Sequence, residues 1–157
     1  MKNITLYAFT IVSLLFASCS NDDAADTEKP VIVLVEPIVP EGFKPGSEIH
    51  VEGILTDNDG LASYKIEIHG AEDGHTHNHA RTATNYFHYE QTITLAEFPK
   101  VHEMKHEILI PTIQNNEALS TGHYHLGIFA LDKSGNQEQV FIEIYIGEDA
   151  DTHQDAH

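Results

Sequence analysis

Cysteine is nearly absent: one residue, Cys19, stands in a chain of 157. A single thiol excludes an internal disulfide, and a site built on several soft sulfur ligands is excluded with it. Positive charge is also scarce. Eight Lys and Arg face 25 Asp and Glu, a formal charge of −17 at pH 7. That field repels nucleic acid and anionic membrane surfaces and attracts cations, so no nucleic-acid partner is expected. Long apolar runs are limited to Ile4–Phe16, broken by Thr5, Thr10 and Ser13; it is too short to span a bilayer as a helix. No Gly-x-Ser-x-Gly elbow, phosphate loop or His-Glu-x-x-His is present. The chain therefore does not read as an enzyme. A metal-assisted hydrolase would need an open metal position and a base, and nothing selects Glu67 or Asp73 for that task.

What the first residues do contain is a targeting signal. Lys2 precedes the apolar run, and the small residues Ala17 and Ser18 lead directly to Cys19. That order of charge, apolar stretch and small residues is that of a cleaved secretory signal. Leu15-Phe16-Ala17-Ser18-Cys19 resembles a lipobox, with Phe16 where Leu, Val or Ile is more usual. Lipidation of Cys19 explains why an exported chain keeps one cysteine. The alternative is an ordinary signal cut near Ala17 with Cys19 as an unpaired thiol. Each buried acyl methylene contributes ~0.8 kcal/mol, so two or three chains give a lasting anchor. Cleavage before Cys19 removes 18 of 157 residues and leaves 139, enough for one domain with its own core. Lys2 is lost with them, so 7 basic and 25 acidic residues remain, a charge of −18.

The divisions expected are a signal peptide over 1–18, an acidic tether over 19–29, a β domain over 30–147 and an acidic tail over 148–157. The tether sequence Ser20–Glu28 has no apolar periodicity. Its acids resemble the surface-export signal of Bacteroidetes lipoproteins, and equally suit a plain solvated spacer. Within the domain, strands are expected over Val31–Val35, Ile49–Thr56, around Tyr64–Ile68, Tyr86–Leu95, His106–Ile110, Gly122–Leu131 and Val140–Ile146. Asn115–Leu119 is left as a possible helical turn. About seven short strands with turns between them imply an all-β, immunoglobulin-like two-sheet antiparallel sandwich. GHYHLGIFALDKSGN resembles the sixth strand of immunoglobulin-like and fibronectin-like domains, with Tyr124 fixing the corner and Leu126, Ile128 and Ala130 facing the core. Unrelated hairpins or a small barrel would be the competing folds.

All twelve histidines follow residue 18. His75, His77 and His79 fall within five residues of a polar loop, and His123 and His125 share one face of a strand by period 2. If Tyr124 points inward, both point outward. His69 points outward because Ile66 and Ile68 take the inward phase. In immunoglobulin-like wiring the third and sixth strands are antiparallel neighbours. His69 then lies beside His123 and His125, the loop of His75, His77 and His79 springs from the same end, and His88 returns there. Neutral imidazoles bind zinc or copper, and Glu72 or Asp73 could complete a tetrahedral zinc shell. The plain alternative is a solvated loop that binds metal weakly. His102 and His106 are expected at the opposite pole, His50 on the strand surface, and His153 and His157 in the tail. Asp57, Asp59 and Asp132 fall in turns; calcium suits carboxylates, but the spacing lacks a full calcium loop, so turn chemistry is the preferred reading.

The segment SYKIEIHGAEDGHTHNHA, with Lys29-Pro30, Ile68-His69 and Asp73-Gly74-His75-Thr76-His77, resembles a Bacteroidetes lipoprotein family, domain of unknown function 4625. The resemblance covers most of the chain after the signal. It implies an immunoglobulin-like fold and an envelope location, and supplies no activity. The residues themselves point to an outer-membrane lipoprotein, periplasmic or surface-exposed, that binds zinc or copper for uptake, buffering or handover. The alternative is a structural, adhesion or receptor-accessory module, partnered with an outer-membrane receptor, whose metal braces a loop.

Overall fold

The computed structural model describes residues 25–38, 42–71 and 85–150. Ten strands hold nearly all the regular structure there: β1 (Val31–Glu36), β2 (Gly42–Phe43), β3 (Glu48–Thr56), β4 (Leu61–Gly70), β5 (Tyr89–Thr94), β6 (Val101–Leu109), β7 (Ile113–Gln114), β8 (Glu117–Ala118), β9 (Gly122–Asp132) and β10 (Gln137–Ile146). One sheet has the order β1-β3-β6, a second β2-β10-β9-β4-β5, and β7 and β8 form a small hairpin. Every pairing is antiparallel except that of β2 with β10. Among the described residues no helix is long and apolar enough to cross a membrane.

Alternation decides which face of each strand is buried. Ile49, Val51 and Leu55 of β3 are fully covered while His50 is exposed. In β4 the covered set is Tyr64, Ile66 and Ile68; in β9 it is Tyr124, Leu126, Ile128 and Ala130. These side chains, with Met104 and Ile108 of β6 and Ile144 and Ile146 of β10, form one core shared by both larger sheets. Each fully covered Leu or Ile contributes about 1.5–3 kcal/mol of burial free energy. Tyr124 has no exposed surface, so its hydroxyl must find partners inside. It donates to the Ser120 carbonyl at 2.6 Å and accepts the Phe87 amide at 3.2 Å. Burial raises the Tyr124 pKa, opposed by the Phe87 amide. That pair of bonds pins the start of β9 to the segment leading into β5.

Several expectations are corrected. The strand expected at His106–Ile110 runs from Val101 to Leu109. His102 and His106 therefore sit within one strand, pairing with Leu55 and Val51, and not in a segment ahead of it. They share the inward phase of Met104 and Ile108. The helical turn at Asn115–Leu119 is instead the β7–β8 hairpin. Asn115 and Asn116 both have positive φ, 56° and 64°, the backbone a two-residue hairpin loop of type I′ requires and one Asn tolerates. Tyr86–Leu95 shortens to β5 and pairs with β4, Ile68 opposite Tyr89. The two acidic ends are not wholly free. Asp26 accepts from Asn58 at 3.1 Å, and its carbonyl accepts from Asn136 at 3.0 Å. Ala150 is 1% exposed and lies so close to Gly42 that a side chain there would strike its carbonyl oxygen.

Candidate metal centre

β4 and β9 are central neighbours, so the end of one lies beside the start of the other. His69 pairs in register with His125, and Gly70 with Tyr124. Because Ile68, Tyr124 and Leu126 take the inward phase, His69 and His125 are thrown to the outer face. Their rings meet edge to face, with centroids 5.5 Å apart and planes at 83°. His123 is two residues earlier on the same face. Its Nδ1 lies 3.1 Å from a Glu143 carboxylate oxygen on β10, and its ring packs against Tyr145 at 5.6 Å.

The surroundings orient His69. Its Nδ1 lies 3.2 Å from the Gly70 carbonyl; a proton donated there leaves Nε2 with the lone pair a metal needs. Nε2 is 3.8 Å from the Glu67 carboxylate. Glu67 also bonds Lys65 at 2.5 Å, and that ammonium stands 4.1 Å above the Phe129 ring. Gly70 matters here for space: a Cβ would come within 2.6 Å of the Tyr86 ring, which stacks edge to face on Tyr124. Beyond Gly70 the chain is tied back to the pole, the Ala71 amide donating to the His123 carbonyl at 2.9 Å.

Four of the seven expected histidine ligands are thus placed. His69, His123 and His125 are brought together on one face. His88 is exposed, next to buried Phe87, one residue before the Tyr89–Ile68 pair. His75, His77 and His79 lie outside the described residues, as do Cys19, Glu72, Asp73, His153 and His157. Among the described residues this pole does not gather three His or carboxylate ligand atoms within 4.8 Å of one another. Two carboxylates flank the imidazoles: Glu67, which the sequence offered only as an unselected base, and Glu143, which it did not offer. Glu67 carried a signal, since period 2 puts it on the face of His69. Glu143 carried none, because its position depends on the register of β10.

A family profile described as Domain of unknown function (DUF4625) matches residues 17–147. The chain belongs to the DUF4625 family. No curated protein matches this DUF4625 chain. Among solved structures it is similar to the fibronectin(III)-like modules of Clostridium thermocellum CbhA, at 13% identity over 74% of this chain and 96% of that one, with a TM-score of 0.43. OgpA from Akkermansia muciniphila is similar at 14% identity, 76% of this chain and 30% of that one, TM-score 0.47. A Listeria innocua beta-glucosidase is similar at 14% identity, TM-score 0.42; the DUF4625 chain covers 75% of itself and 16% of that enzyme.

The second histidine pair of the DUF4625 domain has a different character. His106 Nε2 lies 2.8 Å from the Tyr64 hydroxyl, and the Tyr64 ring packs on His102 at 5.2 Å. Burial, and next the charge of Tyr89, raise the Tyr64 pKa, so its hydroxyl keeps its proton beside the ring. Burial, and next His102, lower the His106 pKa. A lowered histidine binds its proton at lower pH in the folded chain than in the unfolded chain, which protonates as pH falls through about 6.5. Stability is therefore unaffected by His106 above that pH and declines below it. Melting temperatures at pH 7.5 and 5.5 should differ less for His106→Gln than for the wild type. An equal difference would remove His106 from the acid response.

Proposed function

We propose that the protein is an envelope lipoprotein, lipidated at Cys19, whose immunoglobulin-like two-sheet sandwich presents a histidine pole that binds zinc or copper for uptake, buffering or handover. The observation that carries this reading is the in-register contact of His69 with His125, with His123 on the same face. Residues 72–84, which include His75, His77 and His79, leave from Ala71 at that pole. The pairing of β4, β9 and β10 in one sheet, the separate β1-β3-β6 sheet and the buried Tyr124 hydroxyl bonded four residues upstream support the immunoglobulin-like reading. Imidazole ligation with carboxylates behind it suits zinc and copper.

A second reading, a receptor-accessory or adhesion module whose metal braces a loop, has one observation in its favour. Val31, Val33 and Val35 are each about half exposed on the edge strand β1, and Ile54 and Val101 are exposed in the same sheet. Exchange kinetics separate the two. A bracing ion leaves slowly, and a handover ion moves readily to a chelator.

Calorimetric titration with zinc and with copper tests the proposal. Binding should weaken as pH falls from 7.5 to 5.5, because protons compete for the ring nitrogens. Replacing His75, His77 and His79 by Ala should weaken it, and so should replacing His123 and His125 with the loop intact. A native-state ligand at a hundredfold excess over Kd should add about 2.7 kcal/mol of stability. Equal affinity in wild type and both variants would reduce the pole to a histidine-rich surface.

A further inference from the structure

At the other end of β4 and β9 lies a cluster of a different kind. One carboxylate oxygen each from Asp26, Asp57 and Asp132 lies within 4.8 Å of the other two. Asp57 belongs to the turn between β3 and β4, Asp132 closes β9, and Asp26 precedes β1. The turns explain part of the arrangement. Asp57 Oδ1 accepts the amides of Asp59 at 2.8 Å and Gly60 at 2.6 Å. Gly60 has φ +135°, and a Cβ there would strike the Phe98 carbonyl. Asp132 Oδ1 accepts the amides of Ser134 and Asn136, each at 2.8 Å, and its Oδ2 accepts the Asn136 side chain at 2.7 Å. Burial pushes the Asp132 carboxyl up, but these bonds outweigh it and hold its pKa low. It is a carboxylate with almost no exposure.

Turn chemistry does not explain the rest. Asp57 is 8% exposed, and its Oδ2 is buried with no hydrogen-bond partner. Asp26 Oδ2 is buried and bare as well, while Asp26 Oδ1 takes the Glu28 amide and the Asn58 side chain, each at 3.1 Å. A bare carboxylate oxygen away from water is costly, and here two occur beside a third acid. Carboxylates cannot satisfy one another, since an ionised carboxylate only accepts. The nearby ammonium, Lys133 Nζ, bonds Asp59 at 2.8 Å, and among the described residues no Lys or Arg bridges Asp26, Asp57 or Asp132.

We propose that Asp26, Asp57 and Asp132 are ligands of a hard divalent cation, calcium by preference. The donors are all oxygen, which suits calcium or magnesium better than zinc or copper. Calcium takes about six to eight oxygens in flexible geometry, which a site assembled from three separate segments suits better than the near-ideal octahedron magnesium demands. The ion ties the segment ahead of β1 to the β3–β4 and β9–β10 turns, and so sets the angle at which the domain leaves that segment. This inference does not rest on the histidine pole.

The test is made on the full chain after chelation, titrated with CaCl2, MgCl2 and ZnCl2 by calorimetry and followed by thermal melting. Calcium should bind in the micromolar to millimolar range and raise the melting temperature. Asp57→Asn keeps the oxygen that caps the turn amides and removes the charge; Asp26→Ala lies outside the sheets. Both should weaken calcium binding at least tenfold and leave zinc binding unchanged, while the His123/His125 double variant does the reverse. In chelator, Asp57→Asn should melt at or above the wild type, because one of three adjacent charges is gone; in calcium the order inverts. A turn role alone gives lower melting of Asp57→Asn in both conditions and overturns the proposal. So does a wild type that calcium neither binds nor stabilises, or calcium affinity unchanged in both variants.

Discussion

Leu126→Ala should destabilise the domain by about 2–5 kcal/mol, with the neighbouring His125→Ala costing no more than about 1 kcal/mol in metal-free protein. Leu126 has no exposed surface and sits in the middle of the second sheet, paired with Ile68 on β4 and Ile142 on β10. Truncation removes its buried methyl groups and leaves a cavity that two flanking strands hold open. His125, one residue away, points to the opposite face and packs on His69. Urea unfolding of both variants with chelator present would measure the pair. A larger loss for His125→Ala than for Leu126→Ala would contradict the phase of β9, and with it the outward placement of every histidine on that strand.

Cys19→Ala should abolish membrane retention. Cys19 is the only cysteine, so no other thiol can receive the acyl chains. Two or three acyl chains at ~0.8 kcal/mol per methylene would give a stable anchor, and without them an acidic chain would be repelled by an anionic surface. Detergent-phase partitioning of cells expressing each form would show wild type with the membranes and the variant in the aqueous phase, or the variant stalled with its signal uncleaved. Unchanged retention of Cys19→Ala, with a mature N-terminus elsewhere, would end the lipoprotein reading.

The sequence revealed those parts of the fold whose burial alternates cleanly. Ile49-Val51-Leu55, Tyr64-Ile66-Ile68 and Tyr124-Leu126-Ile128-Ala130 each present one apolar face, and each is buried as the pattern implies. β6 is half hidden because its inward positions are His102, Met104, His106 and Ile108: two half-buried imidazoles, packed on Tyr64 of another strand, break the apolar alternation. The β7–β8 hairpin is not legible in the sequence, because Asn115-Asn116 is a plain polar pair until both φ angles are known. The meeting of His69 with His125 was legible, since two phases and one neighbour relation suffice. The acidic cluster is legible in part: Asp57 and Asp132 stand out as turn acids that calcium suits, and Asp26 does not. Asp26 stands in a segment without periodicity, and its fixing partners Asn58 and Asn136 are 32 and 110 residues away. No spacing rule reaches across such separations.

β9 runs unbroken from Gly122 to Asp132, with imidazoles at its first turn of pleat and a carboxylate at its last. Seven residue steps along the strand lead from His125 to Asp132, roughly 23 Å at about 3.3 Å per residue. The Debye length at physiological salt is about 8 Å, so charge arriving at one end is nearly invisible at the other. A nitrogen-seeking ion and an oxygen-seeking ion would then be counted separately by one small domain, giving four occupancy states that respond to two unrelated features of its surroundings.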